Sequence, residues 1–366
     1  MRNLIILCLL LSLLMTSCES KDAFKLEHES RTPKVVVLPH IELLTGVLSI
    51  ANDQDHRGPN EDGNYYYREL CDFLEDYSDY DVFETSQELS SMGFAYDAPY
   101  AFMLHYESID HLISKIQYSD YVVSRSQDEN LLRQFAFDLY ELAEDSNFYN
   151  EFYMKHIEYY DSLVSNMNEN TDWAETTDFI SKVYGKTESE LKTVLAPAAF
   201  TFGGYGIHIS NSEKEIFYNL LRSDGASNKD VVYHMDYIPA IAVHEWSHSY
   251  VDPIVIQILK DLIDEGKINK LEEFYEPLYE EMKKQAYGSI DRFLSEQIIR
   301  GITLNYIEQY MTEEDFQNEL NRQESLGFYL TEYTYKVVKE YMESDDDKSY
   351  TVLIDELVEG YLDYSH

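Results

Sequence analysis

The chain has 366 residues, of which 44% are hydrophobic and 14% aromatic, including 33 tyrosines; this is enough apolar material for one large globular domain or two lobes. Its 69 acidic against 28 basic side chains give a formal charge of -41, which argues against nucleic acid as a partner and against electrostatic docking on anionic lipid. The acidic excess reads as a solvated surface.

In chain order, Arg2, the apolar stretch Leu4 to Leu14 and Met15-Thr16-Ser17-Cys18 read as a processing segment, too short to span a bilayer. The pattern resembles a bacterial lipoprotein signal, with Met15 where leucine is more usual. The resemblance implies removal of residues 1–17, a lipid on Cys18 and attachment to a membrane of the cell envelope through that lipid. With Cys8 lost and Cys18 lipidated, Cys71 has no intramolecular partner and reads as a small buried residue. Residues 18–33 then form a polar tether. Lys34 to Leu38 reads as a buried strand ended by Pro39, followed by a helix or turn carrying Ile41, Leu43, Leu44, Val47 and Leu48. Glu42 fits a first-turn acid favoured by the helix dipole better than a residue near a site. A loop spans Asn52 to Asn64, and from Tyr65 to Tyr184 the spacing is helical, broken at Phe94 to Pro99 by a turn.

Residues 190–236 change character. Val194 to Phe202, Tyr205 to Ile209 and Val231 to Met235 are strand-like, and Pro197 restricts the first to an edge or a bulge. Phe202 to Ile209 is the candidate edge strand along a cleft, where an extended substrate backbone could pair and glycines permit close approach. Asp236 as a cap and Pro239 in the first turn then open a helix bearing His244-Glu245-Trp246-Ser247-His248. Histidines four apart project from one helix face and can reach one metal ion, while the intervening glutamate is placed to take a proton from a water that the metal activates. The surrounding Ile238, Ala240, Ile241, Ala242, Val243, Trp246, Tyr250 and Val251 predict a helix buried nearly all round, in which these polar groups need partners.

Zinc needs a third protein ligand. Val251 and Ile254 stand where an extended motif would have glycine and histidine, so a distant carboxylate remains. Glu265, Glu272, Glu273, Glu276, Glu280 and Glu281 lie in charged stretches, whereas Glu296 shares an apolar face with Phe293, Ile299 and Thr303 on a helix spanning Ser289 to Tyr310. Arg292 and Arg300, four residues to either side, are placed to hold it. A donor to a developing oxyanion could be Tyr205, Tyr306 or Tyr310, and the sequence does not choose. Ser247 lacks the strained elbow of a nucleophile. Asp252 to His366 reads as helical, so the expected lobes are 34–252 and 253–366 with a cleft between them; Ser344 to Asp347 fits a solvated connection rather than a calcium loop.

Glu42-Leu43-Leu44 after the first strand, Tyr96-Asp97-Ala98-Pro99, Gly203-Gly204-Tyr205-Gly206, the run His244 to Pro253 and Glu296-Gln297-Ile298-Ile299-Arg300 together resemble domain-of-unknown-function family 4932, bacterial exported proteins related to gluzincin metallopeptidases. The likeness covers most of residues 34–366. It implies a zincin-like metallopeptidase fold of α+β class, mainly helical, with a small sheet beside the HExxH helix and a helical C-terminal lobe. It further implies one Zn2+ per chain on His244, His248 and Glu296, with Glu245 as base. Gly204, Tyr205, Asp252 and Arg300 are the expected supporting or substrate-contacting residues. The family carries asparagine where this chain has Asp252 and alanine where it has Gly301. The function expected is a lipid-anchored zinc-dependent metallopeptidase acting on a peptide or protein. The alternatives are an inactive zincin-like lipoprotein that binds such a partner, and a helical scaffold with an accidental motif.

Overall fold

Val35 and Val37 are buried, and the backbone around them forms β1 (Lys34–Val36), the first strand of a four-stranded mixed sheet. The structure, a computed structural model, describes residues 33–51, 65–185, 189–200, 203–210, 215–223, 226–227, 230–231, 233–344 and 349–363. The leader, Cys18, the tether, the Asn52 to Asn64 loop and most of the Ser344 to Asp347 connection lie outside them. Among the described residues no helix is long and apolar enough to cross a membrane.

The sheet runs in the order β1, β2 (Glu190–Phe200), β4 (Glu215–Ser223), β3 (Gly204–Ser210). β1 with β2 and β2 with β4 are parallel, and β3 with β4 is antiparallel, so the candidate substrate strand does lie at an edge. Pro197 sits where the β2–β4 register shifts, between Ala196 and Phe200; the strand is internal and accommodates its proline by that irregularity. β4 is absent from the sequence reading. It is a central strand with Phe217, Tyr218, Leu220 and Leu221 buried, so its apolar residues run on instead of alternating, and the buried polar Asn219 interrupts them. The expected strand Val231 to Met235 is corrected as well. Among the described residues of this stretch only Asp230–Val231 pairs, with Ala226–Ser227, and Met235–Tyr237 forms a single tight turn into the next helix. Asp236 therefore lies in that turn; Tyr237 is the cap and makes no side-chain cap bond, while Pro239 stands in the first turn as expected.

Residues 65–184 are helical, beginning at Tyr65–Glu75 and ending at Trp173–Tyr184, and an aromatic core fills the space between these helices. Two long helices carry the remainder. The motif helix, Ile238–Asp264, is 27 residues long, and Pro253 in its interior removes the amide that would bond the carbonyl of Ser249. The lobe boundary expected at 252/253 falls inside this helix, and residues 33–366 group as one unit. The ligand helix, Ile290–Tyr310, packs along it, with every residue from Phe293 to Ile307 buried.

On its other side the motif helix meets β3. The contact is close because β3 presents glycine. A Cβ at Gly206 would lie 2.1 Å from the Glu245 carbonyl oxygen, and one at Gly204 would lie 2.7 Å from Glu245 Cγ. Backbone cannot retreat from a methyl group at Gly206 without shifting strand or helix. Gly206→Ala is therefore expected to cost about 1–3 kcal/mol and lower the thermal midpoint by a few degrees, measured by calorimetry. Gly288→Ala, where the added carbon meets only the Lys283 side chain and backbone at 3.4 Å or more, should leave it nearly unchanged.

Candidate metal centre

The motif helix is fixed before any metal is considered. Trp246 is wholly buried and its indole donates to the Lys192 carbonyl of β2 at 3.3 Å. Ser247 donates its hydroxyl to the Val243 carbonyl one turn back, at 2.6 Å, so it is committed to the helix and not to attack. Thus held, His244 and His248 face the ligand helix with ring centroids 5.3 Å apart.

Glu296 comes up from that helix between them. Its Oε2 lies 3.5 Å from His244 Nε2 and its Oε1 3.5 Å from His248 Nε2. His244, His248 and Glu296 each offer a donor atom, all within 4.8 Å of one another. A tetrahedral ion with bonds of about 2.0–2.1 Å holds its donors roughly 3.3–3.4 Å apart, so these three need only small rotations to share one. Two imidazoles and a carboxylate are a donor set that suits zinc.

Surrounding groups orient the three donors. His248 Nδ1 sits 3.2 Å from both oxygens of Asp252, which leaves Nε2 for a metal. Arg300 Nη2 lies 2.8 Å from Glu296 Oε2 in a buried ion pair, yet Oε2 accepts no well-aligned hydrogen bond and keeps a lone pair for a metal. Arg300 is held in turn by Gln323 Oε1 at 2.6 Å, by the Tyr287 hydroxyl at 2.9 Å and by the Phe328 ring, 4.1 Å beneath it. Arg292 does not share this task. It stands in the first turn of the ligand helix, beside Tyr121 and Asp97, which are themselves joined at 2.6 Å.

The electrostatics follow from these contacts. Burial alone would lower the His248 pKa, but Asp252 and Glu296 outweigh it and hold the imidazole well above its usual range. Burial alone would raise Glu296, but Arg300 and the two histidines outweigh it and hold the carboxyl well below its usual range. Tyr287 is pushed up by burial first, with Glu296 adding to the effect.

Two cavities of about 470 and 800 Å³ meet at this centre, and both are lined by Gly204, Arg222, His244, Glu245 and Tyr287. Glu245 is buried, lies against Gly204 and stands where they join. Tyr205 lines the smaller cavity; its ring lies 4.1 Å under the Arg222 guanidinium, whose Nη1 donates to its hydroxyl at 3.1 Å. Tyr306 and Tyr310 are elsewhere. Tyr306 packs edge-on against Phe179, 3.4 Å from the Thr176 hydroxyl, with Tyr310 beside it, and neither lines either of these two cavities. Glu42 is in the first turn of its helix, as expected, but fully buried; it accepts from Tyr66 at 2.5 Å, lines neither cavity, and burial pushes its pKa up to about 8. Of the five residues that line both cavities, two escaped the sequence reading. Arg222 lies on the unrecognised β4, and Tyr287 lies on a short connection with no periodicity to mark it.

A mixed sheet beside a buried helix, with a histidine pair and a glutamate from a second helix, defines an α+β chain carrying a candidate HExxH metal centre. The chain belongs to the family described as Domain of unknown function (DUF4932), whose profile matches residues 31–359. Neither a curated protein nor a solved structure matches it.

The His248 proton must leave before Nε2 can bind a metal, and Asp252 and Glu296 hold that proton beyond the usual imidazole range, so zinc affinity is expected to rise with pH and to go on rising past the point where an ordinary imidazole is neutral. Asp252→Ala should weaken zinc binding roughly 10-fold or more, by competition against a chelating dye, because the histidine loses its orienting acceptor. Asp252→Asn keeps an acceptor oxygen at the same place and should stay within a few-fold of the parent chain.

Proposed function

We propose that this chain is a gluzincin-like, zinc-dependent metallopeptidase with a zincin-type fold. The observation that carries the reading is the convergence of His244, His248 and Glu296 beside a buried Glu245 that is not one of the donors. A zinc ion held there supplies Lewis acidity, polarising a carbonyl and acidifying a water. The remaining steps belong to side chains. Glu245 accepts a proton from the attacking water as its oxygen bonds to the scissile carbonyl carbon. It returns that proton to the amide nitrogen as the carbon–nitrogen bond breaks, giving a carboxylic acid and an amine. Arg300 keeps Glu296 ionised and aimed, and Asp252 does the same for the His248 tautomer.

The edge position of β3 supports a polypeptide substrate. Among the described residues β3 pairs only with β4, so its outer edge offers unsatisfied backbone groups beside Glu245, where an extended chain can add as a further strand. The cleft continues to both sides of the centre, which favours cleavage within a chain over removal of a terminal residue. The leader sequence supports export and a lipid anchor at Cys18, which puts the activity at the bacterial cell envelope. An ionisable Glu245 in place favours catalysis over simple peptide binding.

Elemental analysis of the purified chain is expected to give about one zinc per molecule, lost in His248→Ala and reduced in Glu296→Ala. Glu245→Gln should keep its zinc and lose peptide hydrolysis by about 10²–10⁴-fold against a mixed peptide library read by mass spectrometry. A folded chain that takes up no zinc overturns the enzyme reading. Zinc without hydrolysis of any library member, with Glu245→Gln indistinguishable from the parent, would favour the peptide-binding alternative.

A further inference from the structure

Tyr287 is a cleft residue that no helix or strand carries. It lies between the helices Tyr279–Lys284 and Ile290–Tyr310, and its backbone is pinned on both sides. Its amide donates to the Met282 carbonyl at 2.8 Å, and its carbonyl accepts from the Tyr275 hydroxyl at 2.6 Å. Ala286, immediately before it, is held at φ +70°, a left-handed conformation unfavourable for a residue with a Cβ. Strain of this kind persists where the surroundings over-determine it, and such places cluster at functional sites. Here the strained residue itself lines the smaller cavity.

The pinned segment delivers the Tyr287 side chain to the junction of both cavities, in company with His244 and Glu245. Its hydroxyl accepts from Arg300 Nη2 at 2.9 Å, and the same nitrogen is 2.8 Å from Glu296 Oε2. A phenol that accepts from a guanidinium is a stronger donor for its own proton. That proton has no protein acceptor among the described residues. The ring stands edge-on to Phe328 at 5.6 Å and half-buried, so the hydroxyl is aimed by packing rather than by a mobile tail.

From this we infer that Tyr287 is a catalytic residue, donating a hydrogen bond to the carbonyl oxygen on which negative charge develops during attack. The inference rests on the metallopeptidase reading above. The phenol remains protonated throughout, so the proton transfers stay with water, Glu245 and the leaving amine. Arg300 then serves two groups, fixing Glu296 through one contact and polarising the donor through the other. Tyr205, the other tyrosine that the sequence offered and that lines the cleft, borders only the smaller cavity, whereas Tyr287 stands where both meet.

The test uses the full-length chain loaded with Co2+ in place of zinc, whose visible spectrum reports a ligand entering the site. Inorganic phosphate is the tetrahedral oxyanion probe, and acetohydroxamate is a probe held chiefly by the metal. Tyr287→Phe retains the ring and is expected to bind cobalt and acetohydroxamate within about 3-fold of the parent chain, with an unchanged thermal midpoint, while phosphate binds at least 10-fold more weakly. Hydrolysis of any peptide cleaved by the parent should fall about 10²–10³-fold in kcat, with a much smaller change in KM. Phosphate binding equal in the two chains overturns the inference, as does an equal loss for both probes, which would mark Tyr287 as a structural support of Arg300. A parent chain that binds cobalt but not phosphate overturns it too. A parent chain that takes up no cobalt is a different failure, that of the metal site itself.

Discussion

A carboxylate with almost no access to water has to be answered by cations, and Glu296 is such a group. It sits on a helix buried from Phe293 to Ile307, where an unpaired charge would be costly enough to unfold the neighbourhood or to take up a proton. Arg300 on one side and the two imidazoles on the other meet that demand. The arrangement brings the motif helix and the ligand helix into register, because the charges must coincide for either helix to bury its face. Arg300 is itself inside the protein and needs its own partners, which Gln323, Tyr287 and Phe328 supply. The network therefore extends from a candidate metal donor to the wall of the cleft through one guanidinium.

The distribution of cations points the same way. In a chain of strongly negative charge, four of ten arginines, Arg222, Arg292, Arg300 and Arg322, line the cleft cavities, and no lysine does. A planar guanidinium can stack on an aromatic ring while its edge bonds an oxygen, as Arg222 does on Tyr205 and Arg300 does on Phe328. A flexible ammonium has no plane to stack, so the same two contacts fix its orientation less firmly. The cationic lining of the cleft is thus a set of fixed donors rather than a diffuse positive patch.

The centre was legible in the sequence to the extent that it is built from periodic helices. Histidines four apart and Glu296 on an otherwise apolar face announce themselves, because burial of a charged group within a helical pattern is visible before any coordinates are known. Asp252 entered only through the family resemblance, and its place one turn beyond His248 explains why its carboxylate reaches Nδ1. What was not legible lies where periodicity fails. β4 is buried on both faces and carries Asn219 at its middle, so it shows neither the alternation of a half-exposed strand nor a clean apolar run, and Arg222 was lost with it. Tyr287 depends on a left-handed Ala286 and on a hydrogen bond to Tyr275, twelve residues earlier, and neither has a local signature. Arg292 illustrates the converse. Its spacing from Glu296 was right, but partners from the helical region around Asp97 and Tyr121 decided where its guanidinium went.

The close seat of β3 on the motif helix has a mechanical consequence. Gly206 lies against the carbonyl of Glu245, and Gly204 lies against that residue's side chain, with no intervening side chain to absorb displacement. The outer edge of the strand and the Glu245 carboxylate are thus two sides of one thin wall. Under the proposed function, a polypeptide adding to the edge would load that wall along its length, and the load would reach Glu245 directly. Occupancy of the groove and alignment of that carboxylate would then be a single event, so a short ligand that fills the centre without engaging the strand would leave it less firmly set than a longer one.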